Sequence, residues 1–391
     1  IPAGRREGEG EVRGAEHADG TDRPLNQLDL RARRRLAVEH CQVVPLVEIS
    51  AVADMAGEQA KLAGGATALT FQALGGKTAF ARADGGDGSA SGFDRLGNGF
   101  KERRAVLSAR RAENPECVFC SLGGAVDIGT QDATTDRSKI TATTAGLSAG
   151  TDVKLAEGVT IGLGGGYGND FSRIGGNTAE VRSNSTLVAA YASLAPVQDG
   201  FIDAMIGHGD LSFRTRRLVP DSGSTAIGSR DGAFTVGALA LGIDRQSEVF
   251  SWSFYGRGEL LDAKLGGYIE DGAGRYNLRF EERDLTSVTG TLGARFEYKQ
   301  RYDFATVTPR LRVEWNHEFA DADAQRLDYA DIGGDAFYGI DSQGWSREQF
   351  QLSLGTRFLL PSLWSFDFET GFRGSSGQRS GTVRVQISRE F

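Results

Sequence analysis

From Val307 to Phe319 the chain alternates without a break. Val307, Pro309, Leu311, Val313, Trp315, His317 and Phe319 take the odd positions, and Thr308, Arg310, Arg312, Glu314, Asn316 and Glu318 the even ones. Successive side chains of a strand point to opposite faces, so this segment predicts a strand with one apolar and one charged face. The same split places Phe250, Trp252, Phe254 and Leu260 opposite Ser251, Ser253, Tyr255, Arg257 and Glu259. It places Val288, Leu292, Phe296 and Tyr298 opposite Thr289, Thr291, Arg295, Glu297 and Lys299. Further on, Phe350, Leu352, Leu354 and Phe358 oppose Gln351, Ser353 and Arg357, while Trp364, Phe366, Phe368 and Phe372 oppose Asp367, Glu369 and Arg373.

Twelve such segments are predicted, beginning near residues 117, 139, 158, 183, 200, 232, 248, 285, 304, 346, 363 and 381; the earlier ones are rich in glycine. Their connections alternate in length. Tight links follow the even strands: Ala156-Glu157-Gly158, Val197 to Gly200, Asp244 to Ser247, Gln300 to Asp303 and Leu360-Pro361-Ser362. Longer polar stretches follow most odd strands, as in Arg214 to Arg230, Asp262 to Arg283 and Ala320 to Trp345. Short turns on one side and long loops on the other are how a barrel meets the periplasm and the exterior. A soluble antiparallel sandwich also alternates, but it has no reason to keep that parity. An even strand count closes the sheet, leaving no unpaired edge for lipid to meet. The predicted fold is therefore all-β: a twelve-stranded antiparallel transmembrane β-barrel over residues 113–391. Its lumen is expected to be lined by Arg257, Glu259, Arg295, Glu297, Arg310, Arg312, Glu314, Glu318, Arg357, Asp367, Glu369 and Arg373.

Composition is compatible with this reading. Charged residues make up 25% and hydrophobic ones 39% of the chain, and the mean hydropathy is −0.31. No apolar run reaches the roughly 18 residues a membrane-spanning helix requires. Hydropathy averaging is blind to a barrel, whose strands alternate lipid-facing and lumen-facing residues. The net charge of −8 argues against a nucleic-acid partner. Three cysteines in 391 residues cannot make a disulfide framework.

Residues 1–112 have a different texture. They hold no Trp or Tyr, favour Arg over Lys, and contain Gly clusters such as Asp84-Gly85-Gly86-Asp87-Gly88-Ser89. This reads as a poorly structured, low-complexity segment, a passenger remnant or linker, and equally fits a truncated or out-of-frame translation. No charged n-region followed by an apolar stretch opens the chain, so a natural precursor is expected to begin further upstream. The stretch 98–114 carries Lys101, Arg103, Arg104, Arg110 and Arg111. It could form a basic helix inside the lumen, facing Glu259, Glu297, Glu314, Glu318, Asp367 and Glu369, or a solvated linker. A helix about 10 to 12 Å across fits such a lumen.

Two segments carry a family resemblance over roughly residues 113 to 391. The final strand, with Val383, Val385, Ile387 and Phe391, resembles the C-terminal insertion signal of outer-membrane proteins; Arg389 departs from it, sitting where an apolar residue is usual. Trp315-Asn316-His317-Glu318-Phe319 resembles the Trp-X-His-Glu-Phe strand of autotransporter β-domains, the translocators of type V secretion. The resemblance implies export of an N-terminal passenger to the cell surface, anchorage in outer-membrane lipid of a Gram-negative bacterium, and help from barrel-assembly machinery and periplasmic chaperones. The barrel termini would be periplasmic and the long loops extracellular. A passive porin or adhesin-like barrel is the alternative, and a soluble β-sandwich the third reading.

Other motifs lead away from chemistry. Cys117-Val118-Phe119-Cys120 is a lone CxxC without a second ligand pair, and His208-Gly209-Asp210 is poorly spaced for activating water. The run Gly162 to Gly168 lacks the Lys and the helix of a phosphate loop and fits a strand. The expectation is a barrel that is not an enzyme, with no cofactor and no metal.

Overall fold

A computed structural model describes residues 118–133, 138–156, 158–197, 199–321, 324–331, 338–340 and 347–390. The expected helix at 98–114, the boundary near residue 113, Cys117 and Phe391 lie outside these described residues.

Twelve antiparallel strands close into a barrel: β1 (Val118–Gln131), β2 (Ile140–Ala156), β3 (Val159–Ile174), β4 (Ala179–Leu194), β5 (Gly200–Val219), β6 (Ser224–Gln246), β7 (Phe250–Leu265), β10 (Arg283–Tyr298), β12 (Thr306–Glu318), β15 (Glu348–Leu359), β16 (Trp364–Ser375) and β17 (Gln378–Glu390). Each pairs with its sequence neighbour, and closure comes from β1 against β17, with Leu122 opposite Ile387 and Val126 opposite Val383. Every backbone ladder therefore has two neighbours, as hydrocarbon demands. Five further short strands, β8 (Tyr268–Ile269), β9 (Leu278–Phe280), β11 (Gln300–Arg301), β13 (Gln325–Tyr329) and β14 (Tyr338–Ile340), lie in the connections.

The predicted alternation is realised as outside against inside. Leu147, Leu163, Val188, Ile206, Leu292 and Leu354 expose half or more of their surface to the outside, Val188 as much as 70%. So large an apolar girdle on a protein surface needs a non-aqueous partner. Two glycines of the wall have a packing reason. A Cβ on Gly162 would lie 2.3 Å from the Tyr191 ring, and one on Gly293 would lie 2.3 Å from the ring of Tyr255. An aromatic side chain on the adjacent strand lies across the wall at each point.

The connections differ from the expected parity. Links following β2, β4, β6, β10 and β15 are short, and Val118 and Glu390 lie on that same rim. On the opposite rim 132–139, 266–282 and 319–347 are long, but 175–178, 220–223 and 376–377 are as tight as those below. Arg214 to Arg230, expected as a loop, is a strand hairpin: β5 runs to Val219, β6 starts at Ser224 rather than near 232, and Gly223 turns between them at φ +65°. Its outward positions Arg214, Arg216, Ser229 and Asp231 are polar, while Leu218 and Ile227 on the same face are apolar and exposed. Polarity on that face hid the strand from a hydropathy reading. β4 likewise begins at Ala179, four residues before its expected start.

The two longest connections fold together. β8 and β9 from the β7–β10 connection pair with β13 and β14 from the β12–β15 connection, in the order β14-β13-β9-β8. Tyr268 stacks on Phe280 with ring centroids 4.4 Å apart. Tyr268, Leu278, Phe280 and Leu327 join the buried cluster that also contains Leu265, Phe213, Phe234 and Leu285 from the barrel wall. A bridge between Ile227 and Asp271 ties this sheet to β6.

Candidate functional site

The lumen has two unlike walls. On β7, β10, β12, β15, β16 and β17 it is a lattice of arginines and carboxylates. Arg310 reaches Asp367 at 2.9 Å and Glu369 at 3.5 Å; Arg312 also pairs with Glu369, and Arg384 approaches it at 3.6 Å. Arg357 holds Asp367 at 2.9 Å. Arg257 pairs with Glu314 and Glu259, each at 3.2 Å, and the Tyr255 hydroxyl donates to Glu314 at 2.6 Å. Arg295 lies 3.9 Å from Glu297.

Register explains how these contacts form. Inward residues of β12 face Ser353 and Gly355 of β15, whose small side chains leave room above the intervening strand. A Cβ on Gly355 would lie 2.8 Å from Nε of Arg310. The arginines of β12 therefore cross β15 to the carboxylates of β16, 57 residues away in sequence. Arg257, Arg310, Arg312 and Arg357 donate hydrogen bonds to these carboxylates, which offsets part of the desolvation of so buried a set of charges.

The twelve residues expected in the lumen all lie on the less exposed face of their strands. Ten are buried, while Glu259 and Arg373 are half-buried, Arg373 donating to Gln351 at 3.3 Å. Glu318 accepts from the hydroxyls of Ser287 at 2.6 Å and Thr289 at 3.0 Å, and from the backbone N–H of Val288 at 2.8 Å. Of the six carboxylates expected to face a basic segment, Glu259, Glu297, Glu314, Asp367 and Glu369 lie beside arginines of this wall and Glu318 accepts from Ser287 and Thr289; the segment itself lies outside the described residues.

Across β2 to β6 the wall is different. Leu187, Phe201, Met205, Leu211, Phe213 and Phe234 face inward beside Asp152, Lys154, Asp170, Asp203 and Asp244. Sequence reading assigned none of these charges to the lumen and placed Asp244 in a turn, whereas β6 runs on to Gln246. Around Asp203 both parities carry apolar residues, Phe201 and Met205 inside against Ile202 and Ile206 outside, so the alternation gives no sign of which face is the lumen. Arg384 and Tyr255 were missed as ligands for a different reason: strand register places Glu369 directly opposite Arg384 on β16, and Glu314 lies two strands from Tyr255.

At the long-loop rim, Arg217 on β5 donates to Glu270 through Nη2 at 2.6 Å and Nε at 3.2 Å, and to the Tyr276 carbonyl at 3.0 Å. Arg230 on β6 donates to Gln325 at 3.3 Å and lies 5.5 Å over the Tyr268 ring. The loop sheet is thereby fastened over the β5–β7 side of the mouth.

The remaining sequence candidates fall outside the lumen. Val383 and Val385 are exposed on the outer face and Ile387 is half-buried. Arg389 sits 5.2 Å over the ring of Trp364, which gives this cation an aromatic partner at the rim. Trp315 and His317 both reach the Glu348 carboxylate, at 2.6 and 2.7 Å, on the outer surface. His208 and Asp210 point outward, His208 contacting Thr235 at 3.1 Å. Gly162 to Gly168 runs within β3. Among the described residues no three His, Cys, Asp or Glu side chains are disposed to hold a metal.

The model of the autotransporter β-domain family matches residues 122–371, well over half of the chain. Among solved structures, the translocator domain of the autotransporter NalP from Neisseria meningitidis aligns with a TM-score of 0.56 at 16% identity, covering 74% of this chain and 94% of that one. The β-domain of the Bordetella autotransporter BrkA aligns with a TM-score of 0.50 at 14% identity, covering 69% and 98%. At such identities the likeness concerns the fold. A comparison with curated proteins returned no match.

Proposed function

The chain belongs to the autotransporter β-domain family, an outer-membrane barrel of Gram-negative bacteria, and from that premise we propose that it anchors and exports an N-terminal passenger segment through its lumen to the cell surface. One observation supports this most strongly. The barrel is closed, its lumen is polar along one whole wall, and both described ends of the chain lie on the short-link rim. A segment attached before Val118 can reach the opposite side only through the lumen. In this reading the short-link rim is periplasmic and the loop sheet extracellular. Barrel-assembly machinery and periplasmic chaperones are the partners that deliver it to outer-membrane lipid. Its work is transport, with no reaction at the lumen wall. The folded loop sheet over the mouth favours a translocator over a passive porin, which needs an open aperture.

An epitope tag at the N-terminus tests the reading. In intact Gram-negative cells producing the chain, an antibody to the tag is expected to label the surface. A tag detected only after the outer membrane is permeabilised would overturn export.

A further inference from the structure

On the outer face of β3, β4 and β5, towards the long-loop rim, four arginines stand in two adjacent rows of the register. Arg182 lies directly opposite Arg214, and Glu180 lies between Arg173 on one side and Arg216 on the other. All four arginines are exposed. Arg173 and Arg182 both lie over the ring of Phe171, at 4.8 and 4.9 Å. Glu180 is 3.9 Å from Arg182, and Asp231 stands at the β6 edge of the group, opposite Ser212. Among the described residues no carboxylate pairs with Arg173, Arg214 or Arg216. Like charges directly opposite each other on neighbouring strands repel, so Arg182 and Arg214 with their neighbours hold an excess of positive charge that an anion relieves.

Other cations at that rim are matched by carboxylates. Lys264 lies opposite Asp284 in the register, and Arg379 pairs with Asp132 at 3.3 Å. The height of the four arginines identifies the medium around them. Leu194 and Ile202 pair near the short-link rim, and Arg182 and Arg214 pair twelve residues further along β4 and β5. A strand of about 9–11 residues, tilted by ~45°, crosses the hydrocarbon of a bilayer. Val188 and Ile206, in between, are apolar and exposed. A polar belt separates them from the arginines: the Tyr167 hydroxyl donates to the Asn184 side chain at 2.7 Å, and the Asn169 amide donates to the same oxygen at 2.9 Å. Aromatic residues with a polar tip mark the membrane–water boundary of a barrel. The arginines therefore stand just beyond the hydrocarbon, at the headgroup level of the far leaflet.

We propose that Arg173, Arg182, Arg214 and Arg216 bind the phosphate group of an outer-leaflet lipid. The planar guanidinium fork donates two parallel N–H bonds to phosphate oxygens, and a phosphomonoester brings enough negative charge to meet more than one arginine. The acyl chains of such a lipid then run down the exposed apolar face past Val188 and Ile206. The leaflet rests on the reading that the long-loop rim is extracellular; the phosphate contact does not.

The test incubates the full chain, folded into detergent, with bis-phosphorylated lipid A or with its enzymatically dephosphorylated form, removes free lipid by gel filtration, and reads bound lipid by native mass spectrometry. Retention of the phosphorylated form is expected to exceed that of the dephosphorylated form several-fold and to survive a chase with inorganic phosphate. R182Q/R214Q/R216Q should lose that difference while keeping the heat-modifiable gel mobility of a closed barrel, and R214Q alone should lose part of it. R245Q/R301Q, at the short-link rim, should keep it. Equal retention of the two lipids, full release by inorganic phosphate, or a difference that persists in the triple variant overturns the site. The leaflet is read separately. With Cys41, Cys117 and Cys120 replaced by serine, S222C in the exposed turn between β5 and β6 should react with a membrane-impermeant maleimide on intact cells. Selective lipid retention with an S222C that reacts only after permeabilisation overturns the outer leaflet and the orientation, while the phosphate contact stands. Surface reaction without lipid selectivity removes the site and leaves the orientation.

Discussion

Arg217 on β5 and Glu270 beside β8 form a two-point ion pair whose side chains are 1% and 0% exposed, joining the barrel wall to a loop 53 residues further along the chain. Glu270 also accepts the backbone N–H of Leu278 at 3.0 Å, so one carboxylate organises both sides of the loop hairpin.

Removing one partner strands the other charge in a dry site, at a cost of about 3–5 kcal/mol. R217A is therefore expected to free the loop sheet without opening the barrel. Limited proteolysis should then cut within residues 266–282 at a rate far above that of the parent protein, while heat-modifiable mobility is retained. The paired replacement R217M/E270L should restore most of the resistance, since a buried pair can be exchanged for apolar packing with little loss.

Glu369 is approached by Arg310, Arg312 and Arg384, and its loss leaves three buried guanidinium groups short of countercharge. E369Q should destabilise the folded barrel by about 3–5 kcal/mol. E259Q touches a side chain already a quarter exposed and paired with one arginine, and is expected to cost below ~1 kcal/mol. Urea unfolding in detergent micelles, followed by tryptophan fluorescence, compares the two. Equal midpoints would show that the lattice does not hold the barrel together.

Gly293 leaves the space in which Tyr255 lies before donating to Glu314. G293V should push the ring away, overpacking the wall by about 1–3 kcal/mol and losing the hydrogen bond as well. Y255F loses only the bond to a charged acceptor, about 1.5–3 kcal/mol. The fraction of fast-migrating, unboiled protein after refolding should fall further for G293V than for Y255F.

The girdle has a limit that can be measured. Leu354 lies mid-strand on the outer face of β15, whereas Ser229 lies on the outer face of the projecting β5–β6 hairpin. L354R should cost about 2–4 kcal/mol in lipid vesicles and S229R about 0–1 kcal/mol. Similar penalties at both sites would place the hairpin inside the bilayer.

Strands and their faces were legible where one parity was consistently apolar. β12 and β16 show this most plainly: Leu311 and Val313 against Arg310 and Glu314, Phe366 and Phe368 against Asp367 and Glu369. Each such residue reports its own surroundings, lipid or lumen, so the signal is local. Where surroundings changed along one strand, the reading failed. The first residues of β6 have polar outward positions and were read as loop, and β5 has apolar residues on both faces because its inner side packs on Phe234 and the loop sheet.

The sequence by itself determined the class of fold and the number of barrel strands, because a period of two is a property of neighbouring residues. Only the tertiary structure decided that Glu369 would be shared by arginines of β12 and β17, that the two long loops would pair as one sheet, and that Arg217 would seal against Glu270. These contacts follow from strand register, barrel closure and the small side chains at Ser353 and Gly355 that let long side chains cross a strand. None of that is written in the alternation of any single segment.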